Sequence, residues 1–94
     1  MEDDRRKALE AQLVGLRPAV HRYAARMVGS ALDGEDVVQE AFARAVAALH
    51  HAPPDDNSDG WLFRIAHNAA IDFLRARARR TRSVPLSSST FGPG

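Results

Sequence analysis

Residues 60–80 read GWLFRIAHNAAIDFLRARARR, and the reading of this stretch decides the fold. An α-helix turns about 100° per residue. On that wheel Trp61, Arg64, Asn68, Asp72, Arg75 and Arg79 fall within one narrow stripe. Leu62, Ile65, Ala66, Ala69 and Phe73 form an apolar stripe beside it. A helix with two such faces buries one against other helices and shows the other to solvent. The polar stripe has the composition of a nucleic-acid reader. Its Trp can stack on a base, its Asn can bond a base edge, and its Arg side chains can hold phosphates.

The residues before this stretch supply the helices it needs. Leu9, Leu13, Leu16, Val20, Tyr23, Ala24 and Met27 recur at helical spacing, which predicts a helix from about Asp3 to Val28. Pro18 lies inside it, so the helix is expected to kink there or to divide in two. Gly29-Ser30 ends it. A second helix is predicted from about Gly34 to His50, with Asp33 as its cap and Asp36 completing a box-like pattern. Val37, Val38, Ala41, Phe42, Ala45 and Leu49 make its inner face. Residues 51–60, HAPPDDNSDG, read as a loop, and Ser58 or Asp59 is expected to cap the third helix. The tail SVPLSSSTFGPG, residues 83–94, has the composition of a linker or disordered end. No strand alternation and no internal repeat is present. The expected fold is all-α, a compact three- to four-helix bundle over residues 1–82.

Composition narrows the class further. The 94 residues suffice for one small domain with one modest core. Cysteine is absent, which excludes disulfides and thiolate metal sites. No apolar run is long enough to span a membrane, and the charged N-terminus MEDDRRKALE lacks the apolar centre of a secretory signal. A cytoplasmic location is the expectation. The net charge of +1 conceals an asymmetry: residues 1–34 carry +1, residues 35–60 carry −5 and residues 61–94 carry +5. An acidic middle followed by a basic third suggests two partners of opposite charge on different surfaces.

Catalysis finds no support. Nucleophile motifs, a phosphate-cradling glycine loop and a convincing carboxylate pair are all missing. His21, His50, His51 and His67 are scattered, and adjacent histidines at a helix end do not aim two ligands at one metal. No enzyme activity, cofactor or metal is expected. Two constellations remain. The outer face of the second helix carries Asp36, Gln39, Glu40 and Ala43, where carboxylates beside a small residue admit a partner helix bearing Arg or Lys. The same face also reads as ordinary solvated polarity. On the third helix, Trp61 either stacks on a base or plugs the end of the bundle. Asn68 is the base-edge candidate, and Arg64, Arg75, Arg77, Arg79, Arg80 and Arg82 are the phosphate candidates.

The two segments DGEDVVQEAFARAVAAL and GWLFRIAHNAAIDFLRARARR, in this order and spacing, resemble region 2 of bacterial sigma factors, in particular the extracytoplasmic-function (ECF) group. The resemblance covers about Leu13 to Arg82. It implies a helical domain with two tasks. The helix matching residues 33–49 would bind the clamp coiled coil of RNA polymerase, with Asp36, Gln39 and Glu40 at the motif positions. The helix matching residues 60–80 would recognise and open the promoter −10 element and hold its non-template strand. Trp61 takes the place of the aromatic at the melting edge, and Arg64, Asn68, Asp72 and Arg75 take places on the DNA-facing surface. Arg79 extends that surface by one turn. The loop at residues 51–60 is where such factors capture a flipped base. An anti-sigma factor is a further candidate partner. The family's second domain, a helix-turn-helix reading the −35 element, has no counterpart in these residues, so the expectation is one domain of a longer factor. The alternative is a protein-interaction module that binds polymerase or an anti-sigma factor with no DNA activity of its own.

Overall fold

A computed structural model describes residues 2–52 and 58–83. Three α-helices form the domain: α1 over Glu2–Val28, α2 over Ala31–Ala47 and α3 over Ser58–Ser83. A short 3-10 turn, Leu49–His51, follows α2. The described residues contain no strand, and the all-α expectation holds. The expected tail from residue 84 onward, and residues 53–57 of the expected loop, lie outside the described residues.

Helix α1 is continuous. Pro18 sits within it but on its exposed side, where the carbonyl one turn earlier can bond water in place of the missing N–H. The expected division at Pro18 does not occur. The helix ends at Gly29, whose φ of +82° lies in the left-handed region and whose N–H donates to the Ala25 carbonyl at 2.8 Å. That is the one-bond form of a glycine helix stop.

Helix α2 starts three residues earlier than the sequence predicts. Ser30, not Asp33, is the N-cap: its backbone is extended (φ −157°, ψ 134°) and its side chain accepts from the Asp33 N–H at 3.2 Å. Serine serves the first-turn amides, and Asp33 then stands inside the first turn, where a carboxylate suits the helix dipole. Ser30→Ala is expected to destabilise the domain by about 1 kcal/mol, a fall of about 4–8 °C in thermal midpoint, measurable by circular dichroism melting.

At its other end α2 stops at Ala47 rather than His50. The chain tightens into the 3-10 turn so that Leu49 turns inward, 9% exposed. The Arg5 guanidinium closes this end, donating to the carbonyls of Leu49 at 3.3 Å and Ala52 at 3.1 Å.

The core has two adjoining parts. Val20, Ala24, Val28, Val37, Val38, Ala41, Ala66, Ala69 and Ala70 make the first. Leu9, Leu13, Ala45, Leu49 and Leu62 make the second. The first is rich in alanine, so the helix backbones lie close. Gly34 marks a close approach of α2 to α1: a Cβ there would lie 2.8 Å from Ala25 Cα and 2.9 Å from Ala25 N. Helix α3 runs alongside α1. Near its start, Gln12 Nε2 donates to Ser58 Oγ and to Asp59 Oδ1, both at 2.6 Å. Ser58 and Asp59, expected as caps, are the first helical residues of α3, ahead of the predicted start at Gly60.

Candidate functional site

The stripe on α3 survives folding with one qualification. Arg64, Asn68, Asp72, Arg75 and Arg79 are all exposed, while Leu62, Ala66, Ala69 and Ala70 on the opposite side are buried. Trp61 is half-buried and packs against the second part of the core. The ring packs at the end of the bundle while the residue stays partly exposed. Phe63 belongs to the core side, in edge-to-face contact with Tyr23 at 5.8 Å between ring centroids.

Besides Asp59, the charged residues Arg77 and Asp72 of α3 are engaged by other helices. Arg77, expected among the phosphate holders, is engaged within the domain while its side chain stays 42% exposed. It donates to the Val28 carbonyl at 3.2 Å, pairs with Asp33 at 3.4 Å and lies over the Phe73 ring at 5.6 Å. This arginine ties α3 to the α1–α2 turn. Asp72 keeps its place on the stripe, but its Oδ2 accepts from Arg44 Nη2 at 2.9 Å. Arg44 also holds Glu40, through Nε, at 2.9 Å. Arg44 is held more firmly in its charged form than an ordinary arginine, chiefly through the hydrogen bond to Glu40; desolvation opposes this, and Asp72 adds to it. A planar guanidinium with spread donors suits such a bridge between two carboxylates.

The outer face of α2 is open. Asp36, Gln39, Glu40, Ala43 and Ala47 are all exposed. Glu35, one residue before Asp36, is turned towards α1, where it pairs with Arg17. Gln39 Nε2 leans back to Glu35 at 3.4 Å. Leu32, 82% exposed, extends the face one turn towards the N-terminus. Sequence reasoning misses Leu32 because a start at Gly34 leaves it outside the helix. The spacing Leu32, Asp36, Gln39, Ala43 carries the signal once Ser30 is read as the cap.

His67, one of the four scattered histidines, stands on the exposed side of α3 with its Nδ1 2.7 Å from the Tyr23 hydroxyl. His21 Nε2 lies 3.0 Å from the Ala31 carbonyl, and the rings of His50 and His51 lie 4.0 Å apart. Among the described residues no three His, Cys, Asp or Glu side chains come together as a metal site, and no helix is long and apolar enough to cross a membrane.

One small all-α domain thus presents an exposed acidic face on α2 and an exposed basic face on α3. Comparison with known proteins names the family. The family described as Sigma-70 region 2 matches residues 14–80, and the chain belongs to it. Its curated relatives place it in the ECF group. The ECF RNA polymerase sigma factor SigE of Mycolicibacterium smegmatis is 37% identical over 67 residues, 70% of this chain and 26% of that protein. SigG of Mycobacterium tuberculosis is 33% identical over 91 residues, 97% of this chain and 25% of that protein. The ECF RNA polymerase sigma-E factor of Escherichia coli K12 is 40% identical over 82 residues, 87% of this chain and 42% of that protein. The chain thus spans less than half the length of these relatives. No solved structure gives a significant match.

Proposed function

We propose that this domain recognises and melts the promoter −10 element as part of an ECF sigma factor, directing transcription initiation. In this reading α2 docks on the clamp coiled coil of RNA polymerase through Asp36, Gln39 and Glu40, with Leu32 at the edge of the contact. Helix α3 holds the non-template strand. The observation that carries the proposal is the sorting of α3: Arg64, Asn68, Arg75 and Arg79 share one exposed face while the opposite face fills the core.

Each residue has a definite task. The exposed edge of Trp61, at the start of α3, offers a surface on which an unstacked base can lie. Asn68, in the middle, presents an amide that can donate and accept on one base edge. Arg64, Arg75 and Arg79 meet phosphates, so strand affinity falls with rising salt. The single-stranded target suits a convex helix face, since separated bases expose both their faces and their edges.

Strand binding and clamp binding are separable by experiment. Asp36→Arg reverses one charge on the α2 face. It is expected to lower retention of the chain on an immobilised polymerase clamp fragment about tenfold. Binding of single-stranded DNA, read by fluorescence anisotropy, should persist because the Glu40–Arg44–Asp72 bridge is untouched. An Asp36→Arg chain retained like wild type would remove α2 as the docking face. The second reading, an interaction module without DNA activity, draws on the inward packing of Trp61 and the engagement of Arg77. It predicts clamp retention with no strand binding by the wild-type chain.

A further inference from the structure

Asp72 is an anomaly on the α3 face. It stands one turn from Asn68 and three residues from Arg75, with its side chain 52% exposed. An open carboxylate in that place repels the phosphates that the neighbouring arginines attract. Its partner, Arg44, is not on the stripe at all. It reaches across from α2, and its grip on Glu40 through Nε fixes the guanidinium so that Nη2 meets Asp72 Oδ2 at 2.9 Å.

We propose that Arg44 is a positioning residue for strand binding, neutralising Asp72 and turning its Oδ2 towards α2, so that the α3 stripe accepts a phosphodiester strand. The inference rests on the reading of α3 as the strand-binding face. Arg44 itself need not touch DNA. The charge that would repel the backbone is balanced from behind. The two carboxylates share one guanidinium, so Arg44 serves Asp72 only while Glu40 holds it in place.

The test uses the full 94-residue chain and a fluorescein-labelled, random-sequence single-stranded DNA of about 12 nucleotides. Arg44→Gln is expected to weaken binding about three- to tenfold. Arg44→Lys, which keeps the charge, should stay within about twofold of wild type. The deciding variant is Arg44→Gln combined with Asp72→Asn. It lacks the bridge between the helices yet has no exposed carboxylate on the stripe, so its affinity should return to within about twofold of wild type. A purely structural role for Arg44 predicts no recovery, because the bridge is missing in both variants. Melting curves of each variant establish that the domain is folded. Wild-type affinity in Arg44→Gln, or an unrecovered double variant, overturns the proposal. If Asn68→Ala weakens binding while Arg44→Gln does not, the strand-binding face stands and only the role of Arg44 falls. If the wild-type chain binds no strand, both fall.

Discussion

Replacing Gly34 by valine is expected to lower the stability of the domain by about 3 kcal/mol, a fall of about 12–24 °C in thermal midpoint. Gly34 is buried in the first turn of α2, against Ala25 of α1. A Cβ at this position would lie 2.8–2.9 Å from Ala25 Cα, Cβ and N. Two of these are backbone atoms, which no rotamer change can move aside. The helices would have to separate, and the buried Val28, Val37 and Val38 around this point would pack less closely. Gly34→Ala meets the same obstacle with less bulk, and alanine regains about 1 kcal/mol of helix propensity; it should fall between wild type and valine. A valine variant melting within a few degrees of wild type would show that α1 and α2 can separate freely at this point.

Trp61→Ala should lower both stability and strand binding, while Asn68→Ala should lower strand binding alone. Trp61 is half-buried against Leu9, Leu13, Ala45, Leu49 and Leu62, so its truncation costs about 2 kcal/mol of packing. A base that stacks on it contributes about 1–3 kcal/mol, and removing the ring weakens binding about 5- to 150-fold. Asn68 is exposed, and its replacement should change stability by no more than about 0.5 kcal/mol. Without its amide, no bidentate pairing with a base edge can form there, which weakens binding by about 1–3 kcal/mol. Measuring melting and anisotropy on both variants tells the two effects apart. A Trp61→Ala chain that melts lower but binds the strand like wild type assigns Trp61 to packing only. An Asn68→Ala chain with wild-type affinity removes it from the strand-binding face.

The helices and their inner faces are legible in the sequence because apolar spacing is a local property. Val37, Val38, Ala41 and Ala45 announce their face within a few residues, and so do Leu62, Ala66 and Ala69. The helix ends are harder to read. Asp33 and Ser30 are both good caps, and Asp36 three residues after Asp33 makes the later start attractive. Ser30 takes the cap, and the Asp33 carboxylate pairs instead with Arg77, 44 positions away in the chain. Leu49 continues the helical spacing of α2, so the 3-10 turn that carries it inward leaves no local mark. The same limit governs the arginines. Arg77 and Arg79 look alike in sequence, yet one is tied to Val28 and Asp33 and the other is exposed. Arg44 reads as the one basic residue of an acidic segment, and its pairing with Glu40 four residues earlier is visible there. Its second partner, Asp72, is a tertiary fact.

If α3 holds a strand as proposed, the two clasps on it have a consequence for how length is measured along that strand. Gln12 holds the helix at Ser58 and Asp59, and Arg77 holds it at Val28 and Asp33. Between these points α3 would serve as a ruler of about 27 Å, with Trp61, Arg64, Asn68 and Arg75 as its graduations. Their spacing is fixed before any ligand arrives, so little ordering entropy is lost on binding. Arg79, Arg80 and Arg82 lie past the second clasp, where the helix has left the bundle's core. A ruler discriminates by register and a charged extension does not. Changes at Trp61 and Asn68 should therefore alter which sequence is held, whereas changes at the phosphate-facing arginines and beyond Arg77 should alter only how tightly any strand is held.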